Sequence, residues 1–320
     1  MSARLQVTLL AGGVGGAKMA EGLAALPDID LSIIGNVADD EEFHGLWVSP
    51  DVDTVTYSLA DRIDRSQGWG VADEGLRALE TLATLGAETW MTLGDRDFGL
   101  HIYRTDRRRR GDRPSDIAAD VARAFGVGPR VLLPTDDRVQ TQVRTTEGWL
   151  SFQQYFVREK CAPEVLEIRF DGIEAARPTP ESLAALAAAD LIVLAPSNPL
   201  VSLGPILATP GLRAALAAAP ALKLAVSPLI AGEVVKGPAG RMMASLGLRA
   251  DALGVAELYH DLLDLFVLDR ADAGLMAEIA ALGMEPVATD TLMQDHPGKV
   301  RLAGELVMRA GERRAQRGAA

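Results

Sequence analysis

The stretch LQVTLLAGGVGGAKMAEGLAALPDIDLSII, residues 5–34, decides the fold. Leu5–Leu10 is a short apolar run that stops at Gly12-Gly13, the pattern of a strand buried on both faces. Ala17–Leu26 reads as a helix ended by Pro27, and Leu31–Ile34 as a second short strand. Strand, glycine-rich turn, helix and strand in this order make a βαβ unit. Parallel strands require such a crossover, so the fold class is α/β with a parallel sheet. Gly12, Gly13, Gly15 and Gly16 follow the strand and precede the helix. There they let a phosphate approach the backbone, and the helix N-terminus attracts anions. The dinucleotide fingerprint fails, because Lys18 stands where its third glycine belongs. The P-loop pattern fails too, because Lys18 follows Ala17 and precedes Met19. A glycine turn made only for packing is the plainer alternative; the strand–helix context favours phosphate or nucleotide contact.

Further along, Leu191–Ala195, Leu222–Val226 and Leu265–Leu268 repeat the apolar strand pattern, with helices between them. Helices are expected over Thr54–Ile63, Asp73–Leu85 with Asp73 as N-cap, Phe98–Arg110, and Ser115–Phe125 with Ser115 as N-cap. Arg130–Leu133, Val139–Thr145, Trp149–Val157 and Val165–Phe170 read as strands. Glu147-Gly148 provides a hairpin turn before Trp149. Residues 130–170 are thus strand-rich and helix-poor. No linker interrupts the chain, so this part is expected to belong to a smaller subdomain inserted in one body spanning 1–320.

The second informative stretch is IIGNVADDEEFHGLWVSPDVDTVTYSLADRI, residues 33–63. Asp39, Asp40, Asp51 and Asp53 are threaded among Phe43, Trp47, Val52 and Tyr57, which suggests carboxylates held against an apolar wall. Carboxylate oxygens with few histidines suit Mg²⁺ rather than Zn²⁺. The stretch therefore reads as the floor of a phosphoryl-transfer site, although Asp51 or Asp53 would serve equally as a helix N-cap. Three further segments carry polar groups in turns or after strands: Leu93-Gly-Asp-Arg-Asp97, Ala195-Pro-Ser-Asn-Pro199 and Ser227-Pro-Leu-Ile-Ala-Gly232 with Lys236-Gly-Pro-Ala-Gly240. Loops at the carboxyl ends of strands are where open α/β sheets bind ligands.

Bulk properties narrow the classes. The chain has 320 residues, is 48% hydrophobic and carries a net charge of −12, with a pI of about 4.9. This argues against nucleic-acid binding, which needs a basic footprint. Cys161 is the single cysteine, so no intrachain disulfide forms and a reduced, cytoplasmic setting is expected. The apolar run at the N-terminus is too short for a signal-peptide core, and no run reaches the length of a membrane span. Arg107–Arg110 with Arg113 reads as a solvated helix end, and His44, His101, His260 and His296 lack metal-ligand spacing. A homodimer is the default oligomeric expectation.

Taken together, AGGVGGAK (11–18), NVADD (36–40), SPDVDT (49–54), GDRD (94–97), PSNPLVSLGPI (196–206), SPLIAG (227–232) and KGPAG (236–240) resemble the 2-phospho-L-lactate transferase family, including its phosphoenolpyruvate-type relatives. These enzymes act in coenzyme F420 biosynthesis. The resemblance implies a three-layer, Rossmann-like body with a smaller subdomain. It also implies a reaction in which the terminal ribityl hydroxyl of the deazaflavin Fo attacks a guanosine diphosphate-linked three-carbon acid and releases GMP. By position, Asp53 and Arg96 would bind the acceptor and carry the chemistry, and Asp39 with Asp53 would lie near Mg²⁺. Gly12, Gly13, Gly15, Gly16, Lys18, Asn36, Ser197 and Asn198 would face the donor nucleotide. The sequence leaves open whether Asp53 is a base or only a ligand, and which acid the donor carries. The competing expectation is a regulatory protein of the same fold that binds nucleotide-sugars without catalysis. A nicotinamide dehydrogenase is disfavoured by the failed fingerprint and by Asn36 at the end of the second strand.

Overall fold

The computed structural model describes residues 4–318. Its centre is a sheet of seven strands: β1 (Leu5–Ala11), β2 (Ile29–Gly35), β3 (Arg130–Leu132), β4 (Leu191–Leu194), β5 (Leu222–Val226), β6 (Leu265–Asp269) and β7 (Glu285–Thr289). Their spatial order is β7-β6-β5-β4-β1-β2-β3, and every pairing is parallel. The chain builds outward from β1 through β2 to β3, then returns to lay β4 against the other side of β1. The reversal places a topological switch point between β1 and β4, where a crevice opens beyond the strand ends.

Neighbouring residues of one strand feed opposite layers, because side chains alternate across a sheet. Leu10, Ile34, Ile192, Leu194 and Phe266 pack in one core, whereas Leu9, Ile33, Val193, Leu224 and Val267 pack in the other. Helices cover both faces, which makes the body three-layered and Rossmann-like. This is why the strands read as continuous apolar runs rather than alternating ones. Among the described residues, no helix is long and apolar enough to cross a membrane.

Several boundaries differ from the expected ones, each for a local reason. Helix α1 (Gly13–Ala24) begins at Gly13 rather than Ala17, so the glycines form its first turn. Helix α2 (Pro50–Leu59) begins before Thr54: Pro50 presets the backbone at N1, and Asp51 and Asp53 lie in the first turn, where the helix dipole favours negative charge. The segment GDRD is likewise helical, because α3 (Asp95–Arg109) starts there with Gly94 as N-cap. The helix expected from Asp73 starts only at Arg77. Asp73 sits in the left-handed region with φ 54°, and the first-turn amide of Ala78 is satisfied by Asp95 at 3.0 Å instead. Ser115 is not an N-cap; Arg113 takes that place ahead of Pro114.

The expected strand Trp149–Val157 stops at Ser151 and gives way to a π-helical turn, Gln154–Arg158. Gln154 closes it off: its side-chain carbonyl accepts from the Ser151 amide at 3.0 Å, and the Ser151 hydroxyl accepts from the Gln154 amide at 3.2 Å. Strands Gly148–Ser151, Gln140–Thr145 and Val165–Asp171 form a small antiparallel sheet. Arg130–Leu132 joins the main sheet instead, paired with β2. Strand β7 has no counterpart among the expected elements. Pro286 masks it, and proline is tolerated there because β7 lies at the sheet edge. In the basic run, Arg107 is held by Asp112 and Asp120, and Arg108 stacks half-buried on Trp47 at 4.2 Å, so the run is only partly solvated.

Candidate active site

A cavity of about 590 Å³ opens at the switch point. One wall comes from the loops after β1, β4, β5 and β7, and the other from α2, the start of α3 and the small subdomain.

The first wall is tightly built. The Ser197 hydroxyl donates to the Gly12 carbonyl at 2.7 Å and accepts from the Gly12 amide at 3.2 Å. A Cβ on Gly15 would stand 2.0 Å from the Pro196 carbonyl oxygen, and one on Gly12 would stand 2.5 Å from Asp51 Oδ2. Only glycine lets the two loops approach this closely. Asp51 binds the other side of the glycine turn. Its Oδ1 accepts from the Gly13 amide at 2.8 Å and its Oδ2 from Asn36 Nδ2 at 2.9 Å. Asn36 is fully buried, donates also to the Val201 carbonyl at 3.2 Å and accepts from the Ala38 amide at 3.0 Å. It therefore fastens β2, α2 and the β4 loop together, and its side-chain amide is spent inside the protein. Gly12, Gly13, Gly15, Lys18, Ser197 and Asn198 line the cavity; Gly16 and Asn36 lie behind it. Asn198 Oδ1 accepts from the Leu200 amide at 2.9 Å and so shapes its own loop. Lys18 has its pKa lowered by burial, with Lys299 and Lys236 adding repulsion. An anion placed here would relieve that repulsion.

The second wall carries the carboxylates. Asp39 lines the cavity, and its buried Oδ1 has no hydrogen-bond partner among the described residues. Burial, then Asp51 and Asp40, push its pKa well above the usual range. Asp40 accepts from Trp47 Nε1 at 3.0 Å and from the Ser49 hydroxyl at 2.7 Å through Oδ2, while its buried Oδ1 has no partner among the described residues. Burial raises its pKa to about 7. Asp53 is gripped by the guanidinium of Arg104, one bond being 3.0 Å from Nη1 to Oδ2 and the other running from Nη2 to Oδ1. His101 lies beside this pair, with Nδ1 3.9 Å from Asp53 Oδ2. Burial, with Arg104 adding, pushes the imidazole down to about 4 against the pull of Asp53, so the ring is neutral. Tyr57 donates to Asp97 at 2.7 Å, and burial raises the Asp97 carboxyl to about 6. Apolar and aromatic side chains, Met91, Leu93, Phe152 and Phe156, also line this wall, as does the exposed Trp69.

The structure does not bring Arg96 to Asp53. Arg96 is exposed at the start of α3, where its Nη1 donates to the Ala72 carbonyl at 2.7 Å and its amide to Glu74 at 2.9 Å. It does not line the cavity. The cation beside Asp53 is Arg104, which the sequence reading did not single out. Asp97, His101 and Arg104 are spaced four and three residues apart and share one face of α3. Marking that helical period from Asp97 onward would have revealed all three.

Among the described residues, no group of three or more His, Cys, Asp or Glu side chains is set to hold a metal. Mg²⁺, however, is commonly held by one or two carboxylates, water and substrate phosphates. Asp39 fits that donor set, because it offers a buried unpartnered oxygen on the cavity wall. Both oxygens of Asp53 already serve Arg104.

A glycine turn with Lys18 facing an acidic, aromatic wall across a Rossmann-like switch point is an arrangement suited to a group transferase acting on phosphorylated substrates. The chain belongs to the 2-phospho-L-lactate transferase (CofD) family of coenzyme F420 biosynthesis, whose family model matches residues 7–305. It is 39% identical to a phosphoenolpyruvate transferase of Streptomyces griseus, over 97% of this chain and 100% of that one. It is 38% identical to a 2-phospho-L-lactate transferase of Methanopyrus kandleri, over 95% of this chain and 97% of that one. A crystal structure of a UPF0052 family protein from Bacillus halodurans superposes with a TM-score of 0.61, covering 95% of this chain and 99% of the other. At 16% identity that likeness concerns the fold alone.

Proposed function

We propose that this chain transfers a phospho-three-carbon-acid group, 2-phospho-L-lactate or phosphoenolpyruvate, from a guanosine diphosphate-linked donor to the terminal ribityl hydroxyl of Fo. GMP is the leaving group. The observation that carries this reading is the two-walled cavity: the glycine-lined turn and Lys18 suit a diphosphate, and the opposite wall offers aromatic surface beside carboxylates.

The chemistry is a displacement at phosphorus. The ribityl oxygen bonds to the phosphorus that bears the acid and its proton is released to solvent, the bond from that phosphorus to the bridging oxygen breaks, and GMP carries that oxygen away. Positioning and charge neutralisation are what the protein supplies to such a step. The Gly12–Gly15 turn, Ser197 and Asn198 seat the nucleotide, and Lys18 neutralises its diphosphate. Asp53 accepts a hydrogen bond from the attacking hydroxyl. Arg104 leaves room for this, because a carboxylate has about four acceptor sites. Mg²⁺ held by Asp39, with Asp53 close by, would supply further neutralisation of the donor phosphates.

Mass spectrometry of the product tests the reading. Incubation with Fo and each candidate donor is expected to yield a phosphodiester of Fo with the acid. A product in which the guanosine remains attached to Fo contradicts it.

A further inference from the structure

We propose that His101 selects the acceptor, by donating a hydrogen bond from Nε2 to a hydroxyl of its polyol chain. The proposal rests on the reading of Fo as acceptor and assigns a role to a residue that this reading does not use.

The tautomer is fixed by geometry. Arg104 Nη1 lies 3.3 Å from His101 Nδ1. A guanidinium only donates, so Nδ1 must accept, and the single proton of the neutral ring sits on Nε2. Arg104 is itself held in place by Asp53, so the ring orientation is inherited from a buried ion pair. His101 is 2% exposed and its Nε2 has no partner among the described residues, yet the residue lines the cavity. A buried donor left unsatisfied is costly, and a bound ligand that accepts from it removes the cost.

The surroundings identify the group that would accept. The Asp53 carboxylate lies on the other side of the ring, 3.9 Å from Nδ1, and both residues line the cavity. A chain that carries several hydroxyls can accept from Nε2 with one and donate to Asp53 with another. A phosphate oxygen would accept from His101 but be repelled by Asp53, and a ring carbonyl would leave Asp53 unused. The same wall is otherwise apolar at Met91, Leu93 and Phe152. The strip of His101, Asp53 and the Tyr57–Asp97 pair therefore suits the hydroxylated chain, and the apolar surface suits the flat ring.

The test is a fluorescence titration of the full chain with Fo and with a deazaflavin whose polyol is replaced by an alkyl chain. Wild type is expected to prefer Fo by about tenfold, the order of one lost hydrogen bond. H101F is expected to lose most of that preference and H101Q, which keeps a donor, to retain part of it. GDP protection against thermal unfolding should be unchanged in both. An undiminished preference in H101F, or an equal loss of GDP binding, overturns the proposal. If H101F does not fold, ¹⁵N-histidine spectra of wild type decide: Fo must shift the Nε2–H signal of His101 and the alkyl analogue must not. Failure of wild type to bind Fo at all would instead overturn the acceptor reading, and this proposal with it.

Discussion

The Asp51 carboxylate holds the Gly13 amide at 2.8 Å, so the first turn of α2 fixes the glycine turn that opens α1. The same carboxylate holds Asn36 at 2.9 Å. One side chain thereby ties the ends of β1 and β2 to a helix of the opposite wall.

Removing it should loosen the donor site first. Asp51→Ala leaves the Gly13 amide and one N–H of Asn36 Nδ2 without their acceptor, at a cost of about 1–3 kcal/mol for each unsatisfied group. The expected outcome is a lower Tm and a donor KM raised by about tenfold or more, with the acceptor KM changed less. Steady-state kinetics with each substrate varied, beside thermal melts, will check this.

Arg104 should matter more for folding than any other cation of the site. Arg104→Ala strands Asp53 in a buried setting, where losing one partner of an ion pair costs about 3–5 kcal/mol. Arg104→Lys keeps the charge but loses the planar fork, so it should rescue stability only in part. Asp53→Asn removes the charge and the strong acceptor together, and turnover should fall by about 10²–10⁴-fold. Chemical denaturation and kcat measured on the same preparations separate the two effects.

Stability should fall as pH rises across neutrality. Asp40, at about 7, and Asp97, at about 6, bind their protons more tightly folded than unfolded, where the ordinary value is 3.8. The stability they contribute is full below that ordinary value and is lost as pH rises through 6 and 7. Asp40→Asn can still accept from Trp47 and Ser49 without carrying a charge. It should therefore raise Tm relative to wild type at pH 8, and the gain should shrink toward pH 5. A gain that grows on acidification would contradict the burial of Asp40 as the cause.

Divalent cations and guanine nucleotides should act together. Once it has lost its proton, Asp39 would repel a diphosphate unless a cation intervened, so chelator is expected to abolish turnover and weaken GDP binding. GDP with Mg²⁺ should raise Tm by mass action, and NAD should not. Full turnover in excess chelator, or equal shifts with both nucleotides, would count against this account.

The parallel body was legible because its strands are buried on both faces, so β1, β2, β4, β5 and β6 appear as apolar runs without any tertiary information. The glycine turn was legible for the same reason: its residues are covalently next to the strand they follow. What escaped was set by packing at a distance. Asp51 and Asp53 are two residues apart, yet one turns to Gly13 and the other to Arg104, a division that only the onset of α2 at Pro50 determines. Arg104 lies 51 positions from its partner, and nothing local marks it. Arg96 sits in the more conspicuous motif but faces the Ala72 carbonyl.

The measurement closest to the central claim is GMP release followed with the acceptor present and absent. The purified chain is supplied with Mg²⁺ and the guanosine diphosphate-linked acid, and nucleotides are separated over time. The account predicts that GMP forms only when Fo is added, one GMP for each Fo consumed. GMP formed equally well without Fo, or Fo left unconsumed while GMP accumulates, would contradict it.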